Sequence, residues 1–560
     1  MIDKIWAEIA VDSCLKRSID HFFVAPGSRC TPLTLAIANN ESAHVTQHFD
    51  ERGLAFAAVG YARATGKPGV FVCTSGTAVA NALPAVVEAS MDRVPMLLFT
   101  ADRPDELRGI GANQTIEQRN IFGDYPELFV NLSVPNGLGS EVEKETLLLL
   151  RELDAAFGKS SGGPVHVNWM FHEPFTIDDA WEEGEAAEQE KSRVPVGDLF
   201  QGHEATQAAR ETPIEIQGNT VIALGNCRPL EALEAQRLAK RLNCPLLSDV
   251  TSGLSACGFE LPTEFALPKP ESVLHLGDRM TSKSWIAWSK DAASSGTKFV
   301  HITSTGQVVN PAGIELSRHR FPFTELASKM EPAATSDAFT SKWQEANEKR
   351  KAAIESVLAT SESLSEPAVA YFLSEHCPAS EGLFIGNSMP IRDMDRYGVV
   401  GTAEVRNVAA NRGASGIDGL LATATGYALG LKSRTTVLLG DLSALHDLNS
   451  LALTASSPWP MIVLVVNNQS GHIFDMLPIS QSKHFEQFFA TPHSYRFGGA
   501  AETFGIAYQR VTDMRGLKES YGAAIKGRQS VLLELVTDRQ HNLQIRQEIG
   551  KAIQKCCDQN

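Results

Sequence analysis

The chain has 560 residues, of which 43% are hydrophobic and 21% are charged, a composition that is typical of globular proteins and excludes wholesale disorder. This length predicts three to four domains. The formal net charge of −16 argues against sequence-independent binding to nucleic acid, because such binding needs a basic surface.

The cysteines and the apolar runs exclude several further classes of protein. Nine cysteines are scattered without any C-x-x-C spacing, which argues against a zinc ribbon, a thioredoxin-type site or a disulfide framework. Reduced thiols of this kind favour a cytoplasmic protein. Acidic residues interrupt the apolar pattern of Met1–Glu8, so we expect an amphipathic first helix and not a signal peptide. The strongest apolar run, Met461–Val466, fits a buried strand, and we expect no membrane span.

Short apolar runs alternate with stretches of helical length along the whole chain, a pattern that predicts parallel strands joined by crossover helices. The predicted strands are Phe22–Ala25, Gly69–Thr74, Met96–Thr100, Val165–Asn168, Thr220–Leu224, Pro245–Ser248, Ser272–Leu276, Lys298–Ile302, Leu383–Ile385, Thr435–Leu439, Met461–Val466 and Val531–Val536. They group into three α/β domains with doubly wound parallel sheets, which we place at residues 1–185, 186–355 and 356–560. The acidic stretch Asp178–Lys191 reads as a linker, and the Ala/Ser/Glu/Lys-rich stretch ending near Pro367 reads as an exposed helix plus a second linker.

Two polar strand ends in the third domain point to a metal site. Asp441 follows an apolar strand and Gly440, and Asn468 comes 27 residues later, directly after the next apolar strand. In open α/β sheets, ligands bind at the carboxyl ends of the strands. An Asp carboxylate, an Asn carbonyl and a main-chain carbonyl near Ser470 form an oxygen-only set that suits Mg²⁺ and phosphate. Taken alone, either the Gly440-Asp441 pair or the Asn467-Asn468 pair could instead be ordinary turn residues at a strand end.

This spacing resembles the diphosphate-binding motif of thiamine diphosphate enzymes, although Leu442 departs from the general pattern. A carboxyl group that activates the pyrimidine ring of that cofactor is also needed. Glu51 resembles it, because it follows the strand-like stretch Val45–Phe49, opens a helix rich in small residues and is followed, after the next strand, by Thr74-Ser75-Gly76-Thr77-Ala78. A cap that offsets the helix dipole is the alternative. In that superfamily the pyrimidine domain of one subunit meets the diphosphate domain of another, which implies a homodimer or a dimer of dimers.

Further motifs narrow the resemblance. They are Ala25-Pro26-Gly27-Ser28-Arg29, Thr100-Ala101-Asp102-Arg103-Pro104, Gly111-Ala112-Asn113-Gln114, Gly386-Asn387-Ser388 with Arg392, Asn411-Arg412-Gly413-Ala414-Ser415-Gly416-Ile417-Asp418-Gly419 and Gly440-Asp441-Leu442-Ser443. Together they resemble the 2-succinyl-5-enolpyruvyl-6-hydroxy-3-cyclohexene-1-carboxylate synthases of menaquinone (or phylloquinone) biosynthesis. Leu442 is ordinary in that family, and the resemblance spans the whole chain, with the middle domain the least similar.

The resemblance implies a reaction and a set of roles. The family decarboxylates 2-oxoglutarate with thiamine diphosphate and Mg²⁺ (Mn²⁺ as an alternative) and joins the product to isochorismate. Glu51 would be the catalytic acid–base group. Cofactor contacts would come from Ile417, Gly440, Asp441, Leu442, Ser443, Asn468, Ile473 and Phe474, with Asp441, Asn468 and Ser470 as metal ligands. Substrate contacts would come from Ser28, Arg29, Arg103, Gln114, Lys283, Asn387, Ser388, Arg392, Arg412 and Leu477.

The chemistry of the loop arginines agrees with these roles. Both substrates carry several carboxylates, which the planar fork of an arginine binds through two oxygens. Arg29, Arg103, Arg392 and Arg412 lie in loops at predicted strand ends. A surface role is the alternative for any one of them. We expect Lys283 to add a contact, although the family often has a second basic residue where this chain has Ser284.

Rival functions remain open from the sequence. An acetolactate synthase or a 2-oxoacid decarboxylase would use the same cofactor without the four loop arginines. A nucleotide-binding oxidoreductase is disfavoured because G-x-G-x-x-G is absent. An inactive homologue is disfavoured because Glu51, Asp441 and Asn468 are intact. For His446 and His472 we expect structural or solvated roles.

Overall fold

The computed structural model describes residues 2–133, 140–160, 162–173, 214, 216–254, 258–330, 335–398 and 404–558. The predicted linker Asp178–Lys191 lies outside these ranges. The chain forms two compact units. The first comprises Met1–Ala209, Gly413–Lys432 and Asn449–Ser457, and the second comprises Arg210–Arg412, Ser433–Leu448 and Pro458–Asn560. Within the described ranges, no helix combines the length and the apolar character that crossing a bilayer requires.

The first unit is built on a parallel sheet. Its strands are β1 His21–Val24, β2 His44–Gln47, β3 Gly69–Cys73, β4 Met96–Asp102, β5 Leu128–Ser133 and β6 Pro164–Met170. They are ordered β2-β1-β3-β4-β6-β5. Its helices are Ile2–Lys16, Thr31–Ala38, Glu51–Thr65, Thr77–Asn81, Leu83–Met91, Ser140–Ser160, Leu420–Leu431 and Leu451–Ser456, with a 3₁₀ turn at Asp105–Leu107. A further 3₁₀ turn, Leu448–Ser450, begins at the last residue of the second unit's segment Ser433–Leu448.

Alternate residues of the central strands enter two separate cores, one on each face of this sheet. Phe22 packs with the helices near the amino terminus, whereas the adjacent Phe23 packs with the helix Glu51–Thr65. Strands that are covered on both faces read as continuous apolar runs, which is why the sequence revealed them. The sheet is therefore doubly wound, as predicted.

Two helices of the first unit pack at unusually short range. A Cβ on Gly60 would lie 1.9 Å from the main-chain oxygen of Thr423, and a Cβ on Gly426 would lie 1.9 Å from that of Ala57. Small residues on both helices therefore allow Glu51–Thr65 and Leu420–Leu431 to approach backbone to backbone. This contact fixes the helix that begins at Glu51.

The second unit contains two parallel sheets. The strands of the first are β7 Thr220–Leu224, β8 Leu246–Ser248, β9 Ser272–Leu276, β10 Lys298–Thr303 and β11 Ser317–Arg320, ordered β11-β10-β9-β7-β8. The strands of the second are β12 Gly382–Ile385, β13 Asn407–Ala409, β14 Thr435–Gly440, β15 Met461–Asn467, β16 Ala507–Val511 and β17 Val531–Val536, ordered β13-β12-β14-β15-β17-β16.

Helices and short turns connect these strands. The helices are Pro229–Leu242, Leu261–Glu264, Lys283–Ser294, Leu326–Lys329, Asp337–Leu358, Glu366–His376, Met389–Tyr397, Asp441–His446, Gly498–Thr503, Met514–Lys526 and Arg539–Cys557. The 3₁₀ and π turns are Val250–Ser252, Phe323–Glu325, His472–Met476, Pro478–Gln481 and Glu486–Ala490. The prediction of an exposed helix before Pro367 was wrong in one respect. Asp337–Leu358 buries one face, with Trp343 and Ile354 in the core that the two sheets share.

The sheet that begins at β12 repeats the strand order of the first unit, position by position. In both sheets the order reverses between the first strand and the third. This reversal opens a crevice at the carboxyl ends of those strands, where open α/β sheets bind ligands. The bounds of the three domains remain predictions, although each sheet falls within one predicted domain.

Candidate active site

The loops at the crevice of the first unit hold two buried arginines. Arg29, 4% exposed, donates a hydrogen bond to the main-chain oxygen of Phe171 at 3.0 Å and pairs with Glu173. Arg103, 8% exposed, donates to the Ser75 hydroxyl and to the main-chain oxygen of Gln114. Burial, and then the nearby Arg103, lower the pKa of Arg29. The fold thus brings two guanidinium groups close together, which favours an anionic ligand.

Two further predicted residues, Gln114 and Ser28, differ in how firmly they are held near these arginines. Gln114 adopts a positive φ of 55° and donates from its side chain to the main-chain oxygen of Ser75 at 2.9 Å. Ser28 is exposed, and its main-chain oxygen accepts from Thr31. The structure therefore places Gln114 beside Arg103, whereas Ser28 is an exposed residue of the loop after β1.

Glu51 begins its helix as predicted. Asp50 caps that helix by accepting from the main-chain N–H of Arg52 at 3.0 Å, so the capping role falls to Asp50 and not to Glu51. Glu51 is half-buried, and its carboxylate accepts from the Asn81 amide at 3.3 Å. Its carboxyl group is therefore left partly open to a ligand.

A buried glutamate anchors the loop that carries Ile417. Glu88, 2% exposed, accepts from the main-chain N–H groups of Gly413 at 2.9 Å and Ala414 at 2.7 Å, and it pairs with Arg63 at 2.6 Å. Ile417 itself is 37% exposed, which leaves an apolar side chain available to a ligand. Sequence analysis missed Glu88, because no local pattern links it to a loop more than 300 residues away.

The predicted metal ligands meet in the second unit. Asp441, 3% exposed, accepts from the main-chain N–H of Leu442 at 2.7 Å and from that of Ser470 at 3.3 Å. The carbonyl oxygen of Asn468 accepts from the same Ser470 N–H at 3.1 Å. The oxygens of Asp441 and Asn468 therefore converge on one point at the ends of β14 and β15.

These residues fit a divalent cation. Burial raises the pKa of Asp441 to about 6, so a bound cation would offset the cost of ionising this carboxyl group. The Ser470 hydroxyl donates to the main-chain oxygen of Ala490, which leaves its main-chain carbonyl as the ligand. Among the described residues, no group of three or more His, Cys, Asp or Glu could hold a metal, so such a site depends on amide and main-chain oxygens. A Cβ on Gly440 would meet nothing within 4 Å, which leaves space beside Asp441 for a diphosphate.

Leu442 and Ser443 follow Asp441 in the first turn of the same helix, with Leu442 half-buried and Ser443 buried. The main-chain N–H groups at a helix N-terminus can bind phosphate oxygens, and this short helix adds that capacity to the metal ligands.

Five of the predicted residues line a cavity of about 420 Å³ in the second unit. Two are basic, Lys283 and Arg392, and three are apolar, Ile473, Phe474 and Leu477. Such a lining suits a ligand that has carboxylates on an apolar skeleton.

Arg392 lies in the helix Met389–Tyr397, so the prediction that it sits in a loop was wrong: the helix begins directly after Ser388 and includes Arg392. Arg392 donates to the main-chain oxygen of Ser388, which adopts a positive φ of 72°. Burial, and then the nearby Arg412, lower the pKa of Arg392. Arg412 donates to the side-chain oxygen of Asn387 at 2.7 Å, and Asn387 donates to the main-chain oxygen of Asn411 at 2.7 Å. A strained conformation such as that of Ser388 is often found at functional sites.

Comparison with known proteins identifies the family. Residues 6–121 match the model of the thiamine pyrophosphate enzyme N-terminal TPP binding domain, and residues 396–535 match the model of the C-terminal TPP binding domain. Three relatives are each named 2-succinyl-5-enolpyruvyl-6-hydroxy-3-cyclohexene-1-carboxylate synthase. The relative from Salinibacter ruber is 36% identical over 99% of this chain and 97% of its own length, and the one from Rubrobacter xylanophilus is 37% identical over 98% of each chain. The one from Chlorobium phaeobacteroides is 36% identical over 100% of this chain and 99% of its own length. The chain belongs to this synthase family. The predicted family and the α/β fold class of thiamine diphosphate (thiamine pyrophosphate) enzymes are confirmed.

Two residues near these sites were not predicted from the sequence, the basic Arg396 and the titratable His493. Arg396 also lines the cavity, and its side chain lies 3.4 Å from Glu260, which accepts from the Ser282 hydroxyl at 3.0 Å. Its spacing of four residues from Arg392 places both on one helix face, a signal that was present in the sequence. His493 lies 3.3 Å from the Asp441 carboxylate, and nothing in the local sequence indicates that contact.

His446 and His472, for which we expected structural or solvated roles, differ in their burial and contacts. His472 is held 3.1 Å from Asp475, which also pairs with Arg539, and burial lowers the pKa of His472. His446 is exposed at the end of its short helix. A structural role for His472 and a solvated position for His446 agree with these settings.

Proposed function

We propose that this chain catalyses the thiamine-diphosphate-dependent decarboxylation of 2-oxoglutarate and the addition of the resulting succinyl unit to isochorismate. The product would be 2-succinyl-5-enolpyruvyl-6-hydroxy-3-cyclohexene-1-carboxylate, with release of CO₂, in menaquinone or phylloquinone biosynthesis. Membership of the synthase family supports the reaction. The observation that carries the choice of substrates is the cavity whose lining combines Lys283, Arg392 and Arg396 with apolar residues, alongside the acidic Glu260 and Asp395.

The cofactor site is proposed at the ends of β14 and β15. Asp441, Asn468 and the main-chain oxygen of Ser470 would hold Mg²⁺, or Mn²⁺ in its place, and the open space at Gly440 would admit the diphosphate. Bound thiamine diphosphate supplies a nucleophilic carbon and an electron sink for the loss of CO₂. The residues expected around it are Ile417, Leu442, Ser443, Ile473 and Phe474.

Glu51 is the proposed acid–base residue. Its carboxyl group would hold and return a proton at the aminopyrimidine ring of the cofactor, and its half-buried position keeps it accessible for that exchange. We propose a homodimer or a dimer of dimers in which Glu51 of one subunit serves the Asp441 site of another. The family resemblance supports this arrangement.

The substrate-binding residues divide into two sets. Arg392, Ser388 and Asn387 would bind the distal carboxylate of 2-oxoglutarate, because a guanidinium group forms paired hydrogen bonds with a carboxylate. Isochorismate would contact the second set, which is Ser28, Arg29, Arg103, Gln114, Lys283, Arg412 and Leu477. The buried pair Arg29 and Arg103 supports binding of a second anion there. We place the enzyme in the cytoplasm, with small-molecule substrates and no nucleic-acid or membrane partner.

One assay tests this function. Isochorismate consumption should require 2-oxoglutarate, thiamine diphosphate and Mg²⁺ together, and omission of any one should abolish it. Release of CO₂ from pyruvate in preference to 2-oxoglutarate would instead indicate an acetolactate synthase or another decarboxylase. A hydride-transfer absorbance change with added NAD(P) would indicate an oxidoreductase.

A further inference from the structure

The two ends of the Asn468 amide have different partners. Its carbonyl oxygen accepts from the main-chain N–H of Ser470 at 3.1 Å, on the side where Asp441 lies. Its amide nitrogen donates to the Glu366 carboxylate at 2.6 Å. Because the oxygen and the nitrogen of an amide are bonded to one planar carbon at a fixed angle, the partner of the nitrogen decides where the oxygen points.

Glu366 is itself fixed in place. It is 6% exposed, and it is the first residue of the helix Glu366–His376, where the helix dipole favours a carboxylate. Its main-chain N–H donates to the Asn542 side chain at 2.9 Å. Its second carboxylate oxygen pairs with Arg546 at 2.5 Å, and Arg546 also pairs with Asp393 at 2.6 Å. Glu366 can therefore act as a rigid acceptor.

We propose that Glu366 is a positioning residue for the cation site: it binds the Asn468 nitrogen and so holds the Asn468 carbonyl oxygen toward the metal. This inference rests on the proposed Mg²⁺ site. Without an acceptor at Glu366, the amide could rotate by 180° and present its NH₂ group to the cation. Groups that orient metal ligands in this way typically affect metal affinity by ~10–100-fold.

The ion pair with Arg546 does not account for this geometry. That pair uses one carboxylate oxygen of Glu366, whereas the contact with Asn468 uses the other. The neighbouring Asn467 has a similar pair of contacts but is not a proposed metal ligand. Its amide nitrogen donates to the buried Glu534 at 2.9 Å, and its amide oxygen accepts from the main-chain N–H of Gln469.

The test separates the hydrogen bond from the charge. Glu366→Gln loses the charge but keeps an oxygen that can accept from Asn468, whereas Glu366→Asp keeps the charge on a side chain one methylene shorter. Glu366→Ala loses both. Binding of thiamine diphosphate to the full-length protein is measured by equilibrium dialysis over a range of Mg²⁺ concentrations, so no turnover is needed. Glu534→Gln is the matched control.

We expect Glu366→Ala and Glu366→Asp to raise the half-saturating Mg²⁺ concentration by ~10–100-fold. Glu366→Gln and Glu534→Gln should stay within a few-fold of the wild type. If Glu366→Ala does not fold, the comparison of the Asp and Gln variants decides alone. Equal weakening in Glu366→Gln and Glu366→Asp, or no weakening in Glu366→Asp, overturns the positioning role. Absence of Mg²⁺-dependent binding in the wild type would instead refute the proposed cation site itself.

Discussion

The sheet of the first unit and the β12–β17 sheet of the second unit share one strand order but present different chemistry at the same positions. After the first strand, one has Ser28-Arg29 and the other has Asn387-Ser388. After the third strand, one has Thr74-Ser75-Gly76 and the other has Gly440-Asp441. The comparison shows that topology decides where a ligand can bind, whereas the loop residues decide which ligand it is.

The two acidic residues at the centre of the proposal differ in how firmly they are held. Glu51 is half-buried and accepts from the side chain of Asn81 at 3.3 Å. Asp441 is almost fully buried and contacts two main-chain N–H groups and His493. A group that exchanges protons needs access and freedom, and a group that holds a cation needs rigidity and a low dielectric. Two predictions test this contrast directly, and two more compare the substrate arginines and the buried histidines of the two units.

Glu51→Gln should have the largest effect. We expect kcat to fall by ~10²–10⁴-fold, the usual contribution of a positioned acid–base group, while thiamine diphosphate binding changes little. Steady-state isochorismate consumption measures the first effect and equilibrium dialysis the second. Glu41→Gln, on an exposed loop, is the matched control. Nearly full turnover in Glu51→Gln would remove Glu51 from the mechanism.

Asp441→Asn should act on binding first. The neutral amide attracts a cation less strongly, so we expect Mg²⁺-dependent binding of thiamine diphosphate to weaken by about 100-fold or more. This exceeds the loss of metal affinity that is usual when a residue supporting a metal ligand is removed. Equilibrium dialysis at several Mg²⁺ concentrations measures this. Unchanged Mg²⁺ dependence would place the cation elsewhere.

Arginine variants should separate the two substrates. Arg392→Gln should raise KM for 2-oxoglutarate by ~10–100-fold, since losing a hydrogen bond between charged groups costs roughly 1.5–3 kcal/mol. Arg29→Gln should instead raise KM for isochorismate. The measurement is KM for each substrate at saturation with the other. Equal changes in both constants for both variants would contradict the division into two sets.

Buried histidines in both units should make stability depend on pH. Burial lowers the pKa of His166 in the first unit and of His275 in the second to about 3. The unfolded chain, with a histidine pKa near 6.5, then binds more protons than the folded chain below that pH. We expect the unfolding free energy to fall on acidification, by up to ~1.4 kcal/mol per pH unit for each histidine.

Chemical denaturation at a series of pH values between 7.5 and 5 measures this slope. His166→Gln should reduce it. An identical slope in His166→Gln and the wild type would show that His166 does not titrate on unfolding.

The strands that the sequence did not reveal share a location. Leu128–Ser133, Ser317–Arg320, Asn407–Ala409 and Ala507–Val511 all lie at the edges of their sheets. The two most exposed, Ser317–Arg320 and Ala507–Val511, are solvent-accessible along most of their length, so they lack a continuous apolar run. Central strands are buried on both faces, and their composition reflects it.

The sequence alone determined the α/β class, the central strands and the polar residues that follow them, because each depends on a few neighbouring residues and on burial. It therefore placed Glu51, Asp441 and Asn468 at strand or helix ends, whereas Arg392, predicted in a loop, lies within a helix. The tertiary structure decided what those residues touch. Glu366 contacts Asn468, which lies 102 positions later in the sequence, and Glu88 binds the main chain of Gly413, which lies 325 positions later. Such contacts depend on the order of the strands and the packing of whole helices, which no local stretch of sequence encodes.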